Sequence, residues 1–327
     1  MSADIESMFS VRAMPWHRQG VVPQEYPGSW AQARALAGLD WDPVTEAVYE
    51  LRGVDGDGRA LYEPIEGWKR IARSDSGATL WLSRESYTVI DHEEMGEIVE
   101  AVLAQANVAW ETGGVLDSGR AVWCLARLNE PIELPGDTGI TLPYLALTNR
   151  HGVPGACVLR ATAVRIVCAN TFRAAELEGE RTGATFAFAH RANWRTRIDE
   201  ATQAVTGARR EMRAWRQLAE ALLDIKVTTG QRERFVTEFV PMPPDGLVSD
   251  RVVRNVEAAR TALRDIFASE TTVAVADTAY GLVQAAGEYL DHVRRARSWE
   301  TKLGRTLIRP EPLKAKALTL VREITAG

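Results

Sequence analysis

The stretch from residue 110 to residue 176 restricts the fold of this chain more than any other. It contains three apolar runs, at 121–128, 140–148 and 156–167, which are separated by clusters of glycine, proline, asparagine and aspartate. Runs of this length between such clusters are typical of strands in an antiparallel meander. Asn170-Thr171 follows the third run and offers an N-cap for a short helix. The stretch therefore predicts a β-β-β-α core.

Helical spacing dominates the chain after this core. Residues 196–225 contain no proline and predict one long helix, and residues 231–240 predict a shorter one. The proline cluster at 241–244 is the clearest boundary in the chain, because proline ends a helix. Three further helices are predicted beyond it, at 250–267, 279–297 and 312–324.

The first hundred residues predict a mixture of hairpins and short helices. Two Asp-Gly pairs at 55–58 predict a tight hairpin turn, since glycine adopts positive φ at little cost. The elements expected here are helices at 30–37 and 93–105 and strands at 44–52, 68–73, 78–82 and 87–90, with an extended arm at 14–20 before them.

Taken together, these patterns predict an α+β fold. Its parts are a curved antiparallel β-sheet with the β-β-β-α core, a long helix and a mostly helical C-terminal region. We expect an α+β core domain over residues 1–240 and a helical C-terminal region over residues 245–327.

The composition is that of an ordinary globular protein, with 46% hydrophobic and 25% charged residues among 327. No stretch reaches the roughly 18 apolar residues that a membrane helix needs, and residues 1–10 lack the pattern of a secretory signal. The cysteines Cys124, Cys157 and Cys168 include no Cys-x-x-Cys pair, which suits a reducing compartment. We therefore expect a cytoplasmic protein without a membrane partner.

Charge is distributed unevenly along the chain, although the net charge is only −5. Residues 1–150 hold 12 Lys and Arg against 23 Asp and Glu, a balance of −11, and residues 151–327 hold 27 against 21, a balance of +6. A basic second half is able to carry an anion-binding face. The same asymmetry could equally reflect charge pairing between the halves or between subunits.

No motif of this chain predicts catalysis. The segment from Gly114 to Ala121 resembles a phosphate-binding loop, but Arg120 and Ala121 stand where that loop has lysine and serine or threonine. A glycine-rich hairpin is the better interpretation. The five histidines are dispersed, with no second histidine or cysteine at metal-ligand spacing. We predict no metal, no cofactor and no catalytic residue, although a pair of carboxylates that meets in space stays open.

Arginine set among aromatic residues is the pattern that points to a function. Guanidinium groups bind phosphates, and aromatic rings stack on unpaired bases. The densest group lies at 190–197. A solvated face, or pairing with the acidic first half, is the alternative interpretation of the same residues. The candidate nucleic-acid-binding residues are Arg150, Arg160, Arg165, Arg173, His190, Arg191, Trp194, Arg195, Arg197, Lys302 and Arg305.

A set of short motifs carries a resemblance to a known family. The motifs are Ala37-Gly-Leu-Asp-Trp41, Arg73-Ser-Asp-Ser-Gly77, Glu111-Thr-Gly-Gly114, Gly119-Arg120, Val122-Trp123, Tyr144-Leu-Ala-Leu-Thr-Asn149, Val164-Arg-Ile-Val-Cys-Ala-Asn-Thr171, His190-Arg191, Thr278-Ala-Tyr-Gly281 and Glu288-Tyr-Leu-Asp-His292. Over nearly its full length the chain resembles the phage/plasmid-like protein family, a phage- and plasmid-borne domain of unknown function (number 932). Members of that family often have Asp-Gly after Asn-x-His, where this chain has Arg150-His-Gly-Val-Pro154.

The resemblance implies a mobile-element origin and no settled biochemistry. A weaker analogy exists at the level of the fold, because single-strand annealing recombinases also have a curved β-β-β sheet crossed by a helix. We expect a non-enzymatic protein that binds or anneals single-stranded DNA, with Trp194 or Phe172 stacking on bases, and that forms a homo-oligomer such as a ring. The alternatives are a counter-defence factor that binds a host protein, and a nuclease or nucleotide-dependent enzyme.

Overall fold

The computed structural model describes residues 5–11, 20–104, 108–152, 155–165, 170–172, 185–244, 249–295 and 312–326. Its strands are β1 (Ile5–Ser10), β2 (Pro43–Val54), β3 (Ala60–Arg73), β4 (Thr79–Arg84), β5 (Val108–Leu116), β6 (Ala121–Leu128), β7 (Ile132–Glu133), β8 (Ile140–Arg150), β9 (Cys157–Arg165), β10 (Asn170–Phe172) and β11 (Thr185–Phe188). Its α-helices are α1 (Trp30–Leu36), α2 (His92–Leu103), α3 (Ile198–Asp224), α4 (Thr229–Phe239), α5 (Asp250–Phe267), α6 (Ala279–Glu288) and α7 (Pro312–Thr325).

The strands form two sheets, and the fold is α+β as predicted. The larger sheet has the order β1-β5-β6-β8-β9-β10, with β7 paired to β8 and β11 paired to β9. The three apolar runs of the predicted core are β6, β8 and β9, which are neighbours in this order. Nearly every side chain of β6 and β8 is buried, which explains why these strands are continuously apolar instead of alternating.

The structure corrects two local predictions. Asn170 does not begin a helix, because it lies in β10 and pairs antiparallel with Arg165 of β9. Residues 87–90, predicted as a strand, connect β4 to α2 without a partner strand. Side chains bind this segment instead: His190 Nδ1 lies 3.1 Å from the Thr88 carbonyl, and Asn149 Nδ2 donates to the Ile90 carbonyl.

The chain folds into two compact units, each made of three separate stretches. Unit 1 contains residues 1–127, 145–160 and 185–206, and unit 2 contains residues 128–144, 161–184 and 207–327. The predicted boundary near the proline cluster at 241–244 stays a prediction.

In unit 1 the helices α1 and α2 are joined through Trp30. Its indole lies 5.3 Å from the ring of Trp110 and donates a hydrogen bond to the His92 carbonyl at 2.8 Å. A Cβ atom at Gly96 of α2 would lie only 2.2 Å from the Trp30 ring, so the close approach of these two helices requires glycine there.

The smaller sheet, with the order β2-β3-β4, also belongs to unit 1. The β4 strand pairs with β3 only between Trp68 and Ala72, so residues 49–64 form a ribbon of two strands. Asp55 closes the turn of this ribbon, because its carboxylate accepts hydrogen bonds from the amides of Asp57 and Arg59. The hairpin turn predicted at the Asp-Gly pairs is therefore confirmed.

Unit 2 is mostly helical, as predicted for the C-terminal region. The long helix α3 and the helix α5 lie within two residues of their predicted bounds. A capping box begins α4, in which the side chains of Thr228 and Gln231 satisfy each other's backbone amides. Of α7, Leu318 and Val321 are fully buried. Among the described helices of both units, none is long and apolar enough to cross a membrane.

Candidate functional site

The predicted group at 190–197 begins on a loop after β11 and runs into a single 3-10 turn before α3. Arg191 is exposed, whereas the ring of Trp194 is buried. Arg195 binds two carboxylates of α2, those of Glu94 at 2.5 Å and Glu97 at 3.4 Å. The charge of Arg195 is therefore matched within unit 1, and Trp194 serves the core in this structure.

Arg150 lies at the end of β8 and forms an ion pair with Asp117 at 2.8 Å, a carboxylate that also binds Arg120. Arg160 is half-buried on β9 and faces Thr185 of β11 in the strand register. The structure brings Arg150 next to His190 through a backbone contact, since His190 Nε2 lies 3.2 Å from the Arg150 carbonyl.

The other candidates are placed less fully. The backbones of Arg165 and Arg197 lie in described elements, but their side chains are outside the description. Arg173, Lys302 and Arg305 lie outside the described residues altogether, and so does Cys168. Phe172 belongs to β10, and its side chain is not described. The nucleic-acid role of all these residues stays a prediction.

Around His190 the structure forms an aromatic cluster that the sequence did not indicate. The rings of Tyr87 and His190 are stacked, with centroids 4.6 Å apart and planes 16° from parallel. The Tyr87 hydroxyl lies 2.9 Å from His151 Nδ1, and the rings of His151 and His190 are 5.2 Å apart. These three side chains join the loop before α2, the end of β8 and the loop before α3.

Burial keeps the histidines of this cluster neutral. Desolvation lowers the pKa of His151 to about 3, with a smaller contribution from the neighbouring charge of His190. Desolvation likewise lowers the pKa of His190 to about 4, against two backbone carbonyls that favour its protonated form. A neutral imidazole carries one N–H, so His190 is able to donate to only one of these carbonyls at a time. Neutral buried rings do not attract phosphate. In this structure the cluster packs three segments of unit 1 together.

A second cluster in unit 1 brings together residues from several of the motifs that carry the family resemblance. The guanidinium of Arg73 lies 4.1 Å from the ring of Trp41, and it also binds Asp75 at 2.7 Å. The hydrogen bond from Arg73 lowers the pKa of Asp75 to about 2. The ring of His92 stands edge-on to Trp41 at 4.5 Å, and a Cβ atom at Gly119 would lie 2.9 Å from Trp41. These residue types are therefore required locally by packing and charge pairing.

Unit 2 contains a groove that is lined by arginine and apolar side chains. Its volume is about 180 Å³. One side is formed by the arginines of α3, and the other by residues from the end of β6, the following segment with β7, and β8. We call this site the α3 groove; its lining residues are Leu128, Glu130, Pro131, Ile132, Pro143, Arg209, Met212, Arg213 and Arg216.

Helical geometry places three guanidinium groups along this groove. Arg209, Arg213 and Arg216 follow one another at spacings of four and three residues, which puts them on one face of α3. Arg209 binds Glu130 at 2.7 Å, and Arg216 binds Glu220, one turn further along the helix, at 2.8 Å. Arg213 is exposed and forms no ion pair within the described part of the chain. The arrangement is able to bind an anion beside an apolar wall.

Sequence reasoning missed these three arginines, although the signal was present. The long helix was predicted correctly, and within it the arginine spacing of four and three residues marks one face. The pattern of arginines next to aromatic residues marks residues 190–197 instead. Within the described residues, no group of three or more His, Cys, Asp or Glu side chains is arranged to hold a metal ion.

Comparison with known proteins gives a family but no characterised relative. A family model described as "Domain of unknown function (DUF932)" matches residues 80–308. Neither the curated proteins nor the solved structures contain a match to this chain. The family match covers more than two thirds of the 327 residues. The chain therefore belongs to the DUF932 family, a domain of unknown function.

Proposed function

We propose that this protein binds single-stranded nucleic acid, preferably DNA, through the α3 groove, as a non-enzymatic protein of a phage or plasmid that acts in the cytoplasm. The observation that carries the proposal is the row of Arg209, Arg213 and Arg216 beside the apolar wall of the groove. The row spans about 10 Å along the helix, a distance over which a nucleic-acid strand presents more than one phosphate.

The existing ion pairs of the groove do not oppose this function. The side chains of Arg209 and Glu130 are 39% and 50% exposed, and the side chains of Arg216 and Glu220 are similarly open. Exposed ion pairs are worth only about 0–1 kcal/mol. A phosphate is therefore able to replace either glutamate at small cost, and Arg213 is available without any exchange.

A single strand fits this site better than a duplex does. Pro131 and Ile132 form part of the wall opposite the arginines. Met212 lies between Arg209 and Arg213 in the sequence of α3. Unpaired bases are able to stack on the guanidinium planes of these arginines and to contact the apolar side chains while the phosphates bind the charges. In a duplex the base faces are stacked and only the phosphates remain. Annealing follows as an extension, supported by the strand order β6-β8-β9 and the long helix after it in the chain.

The test compares two pairs of arginines with the same spacing on different helices. Arg213 and Arg216 lie in the α3 groove, whereas Arg251 and Arg254 are exposed on α5. Fluorescence anisotropy with a labelled oligo-dT and its duplex, over a series of salt concentrations, gives the affinity and its salt dependence. Arg213→Ala/Arg216→Ala should weaken single-strand binding and reduce the slope of log K against log salt by about 1.4.

The control variant Arg251→Ala/Arg254→Ala should bind like the wild type. Equal losses in both variants would show only a general charge effect and would contradict binding at the groove. No binding of either oligonucleotide by the folded wild type would end the proposal. A third variant, Arg191→Ala/Arg195→Ala, tests the group predicted from the sequence, and a larger loss there would move the site to unit 1.

A further inference from the structure

The two-stranded ribbon of residues 49–64, which we call the hairpin arm, exposes large apolar side chains. Four of them are more than half exposed: Tyr49 at 58%, Leu51 at 63%, Val54 at 66% and Tyr62 at 64%. Isolated exposed hydrophobic residues are common on protein surfaces, but a contiguous patch marks an interaction site.

Strand register places these side chains on one face of the arm. Tyr49 pairs with Pro64, and Leu51 pairs with Tyr62. Directly paired residues of an antiparallel ribbon lie on the same face, and alternate residues along a strand share that face. Val54 pairs with Ala60, two residues from Tyr62, and so belongs to the same side. We call this side the apolar face.

The opposite side of the arm carries the charges. Arg52 binds Glu50 at 2.9 Å and Glu63 at 3.0 Å, and Glu50 and Glu63 are paired in the register. Leu61, 49% exposed, is the large apolar residue of this charged face. The arm thus has one uncharged side and one side with a hydrated ion-pair network.

These exposures show that the described residues do not cover the apolar face of the arm. A two-stranded hairpin is marginally stable in water unless it packs against another element. A tyrosine presents on the order of 200 Å², so the whole apolar face exposes on the order of 500 Å² in one copy. Two such faces packed together would bury on the order of 1,000 Å², which is about the lower limit for a specific protein interface.

Charge determines which occupant fits the face. Residues 49–64 hold four acidic side chains against two basic ones, so the arm has a net negative charge and repels the phosphates of a nucleic acid. The apolar face itself has no charge to match, which makes it complementary to itself. Two-fold packing would leave the charged faces outside, separated by more than the sheet spacing of about 10 Å and screened by salt.

We infer that the apolar face of the hairpin arm is an interface between two copies of this chain, which pack arm against arm about a two-fold axis. The interface is isologous, so each copy presents the same residues to its partner. The inference rests on the arm alone and is independent of the α3 groove.

Light scattering coupled to size-exclusion chromatography tests this interface over a dilution series. Leu51→Asp places a carboxylate on the apolar face, and Leu61→Asp places one on the charged face of the neighbouring strand. Because symmetry introduces the charge twice, Leu51→Asp should raise the dimer dissociation constant by about a hundredfold or more. Leu61→Asp should leave it unchanged, and circular dichroism should show both variants folded.

A second measurement detects the contact directly. In a Cys168→Ala background, Leu51→Cys should give covalent dimers with a bifunctional thiol reagent, whereas Leu61→Cys and the background protein, whose Cys124 and Cys157 are buried, should not. A wild type that stays monomeric at every concentration overturns the inference. Equal dissociation of both aspartate variants overturns it too, as does a Leu51→Asp variant that stays dimeric but loses binding of an oligonucleotide or another protein.

Discussion

His190 shows at the level of one residue how this fold couples stability to protonation. Its two ring nitrogens lie 3.1 and 3.2 Å from the carbonyls of Thr88 and Arg150, an arrangement that a charged ring would satisfy twice. Burial nevertheless keeps the pKa of His190 at about 4. The cost of desolvating the charged ring therefore exceeds the stabilisation that its hydrogen bonds to the two carbonyls provide.

Acid should destabilise the protein through these histidines. The unfolded chain binds a proton at each of them below about pH 6.5, whereas folded His190 and His151 bind one only near 4 and 3. The unfolded state thus holds more protons within this window, and the free energy of unfolding should fall as the pH falls from 6.5 to 4. Urea unfolding at several pH values measures this slope.

A variant isolates the share of one ring. His190→Gln keeps a side-chain amide that is able to donate to a carbonyl, but it does not titrate. Its unfolding free energy should depend on pH less steeply than that of the wild type, by up to about 1.4 kcal/mol per pH unit. Parallel curves for the two proteins would show that His190 is not a source of the acid sensitivity.

Gly119 offers a second prediction at this scale. Its φ is +92°, and a Cβ atom there would lie 2.9 Å from Trp41. Gly77 has a φ of +66° with open space around it. Gly77→Ala should therefore lose only the backbone term, about 1 kcal/mol, while Gly119→Ala should lose more because Trp41 must move. Equal losses in thermal unfolding would contradict the packing account.

At the scale of elements, the ion pair between Arg209 and Glu130 restrains the α3 groove. Glu130→Gln removes the negative charge without changing the size of the side chain. We expect it to raise the affinity for oligo-dT several-fold, because Arg209 no longer has to exchange a carboxylate for a phosphate. Glu257→Gln, which removes the ion-pair partner of Arg260 on α5, is the control and should have no effect. Unchanged affinity of Glu130→Gln would exclude Arg209 from the binding surface.

The sequence predicted elements well where periodicity and end signals agreed. The bounds of α5 were predicted to the residue, since Phe267 ends an amphipathic run that begins after Ser249. The prediction of a strand at 87–90 was wrong, because its carbonyls bind side chains from residues 149 and 190, which are remote in the chain. The prediction of a helix at Asn170 was wrong because pairing with β9 overrode a local cap signal.

The candidate site was harder to predict than the elements, for a reason of geometry. A sequence shows where the arginines are, but it does not show which carboxylates pair with them in the fold. Arg195 pairs with Glu94 and Glu97 of α2, which lie about a hundred residues earlier in the chain, and its role in binding stays a prediction. Trp194 looked suited to stacking, and its burial follows from packing that no local pattern records. Arg213 was not among the predicted candidates, although the spacing of arginines within the predicted helix α3 was a signal that marks its face.

For the whole molecule, the two proposed surfaces should respond to salt in opposite ways. Phosphate binding at the α3 groove weakens as salt rises, because the release of counterions into a more concentrated salt solution is less favourable. Contact between apolar faces on two acidic arms should hold or tighten, because salt screens the repulsion between them. Anisotropy and light scattering on one sample over one salt series measure both. A parallel loss of oligonucleotide binding and dimer would mean that both depend on a single charged surface.

The pairing of β1 with β5 means that the residues matched by the family model do not include the whole of the larger sheet. The family match begins at residue 80, whereas β1 covers one edge of the larger sheet through residues 5–10. The match ends at residue 308, before α7, whose Leu318 and Val321 are buried. A protein expressed as residues 80–308 would expose the edge of β5 and an uncovered helical surface, both of which favour aggregation. The borders of family likeness are therefore not the borders of independent folding.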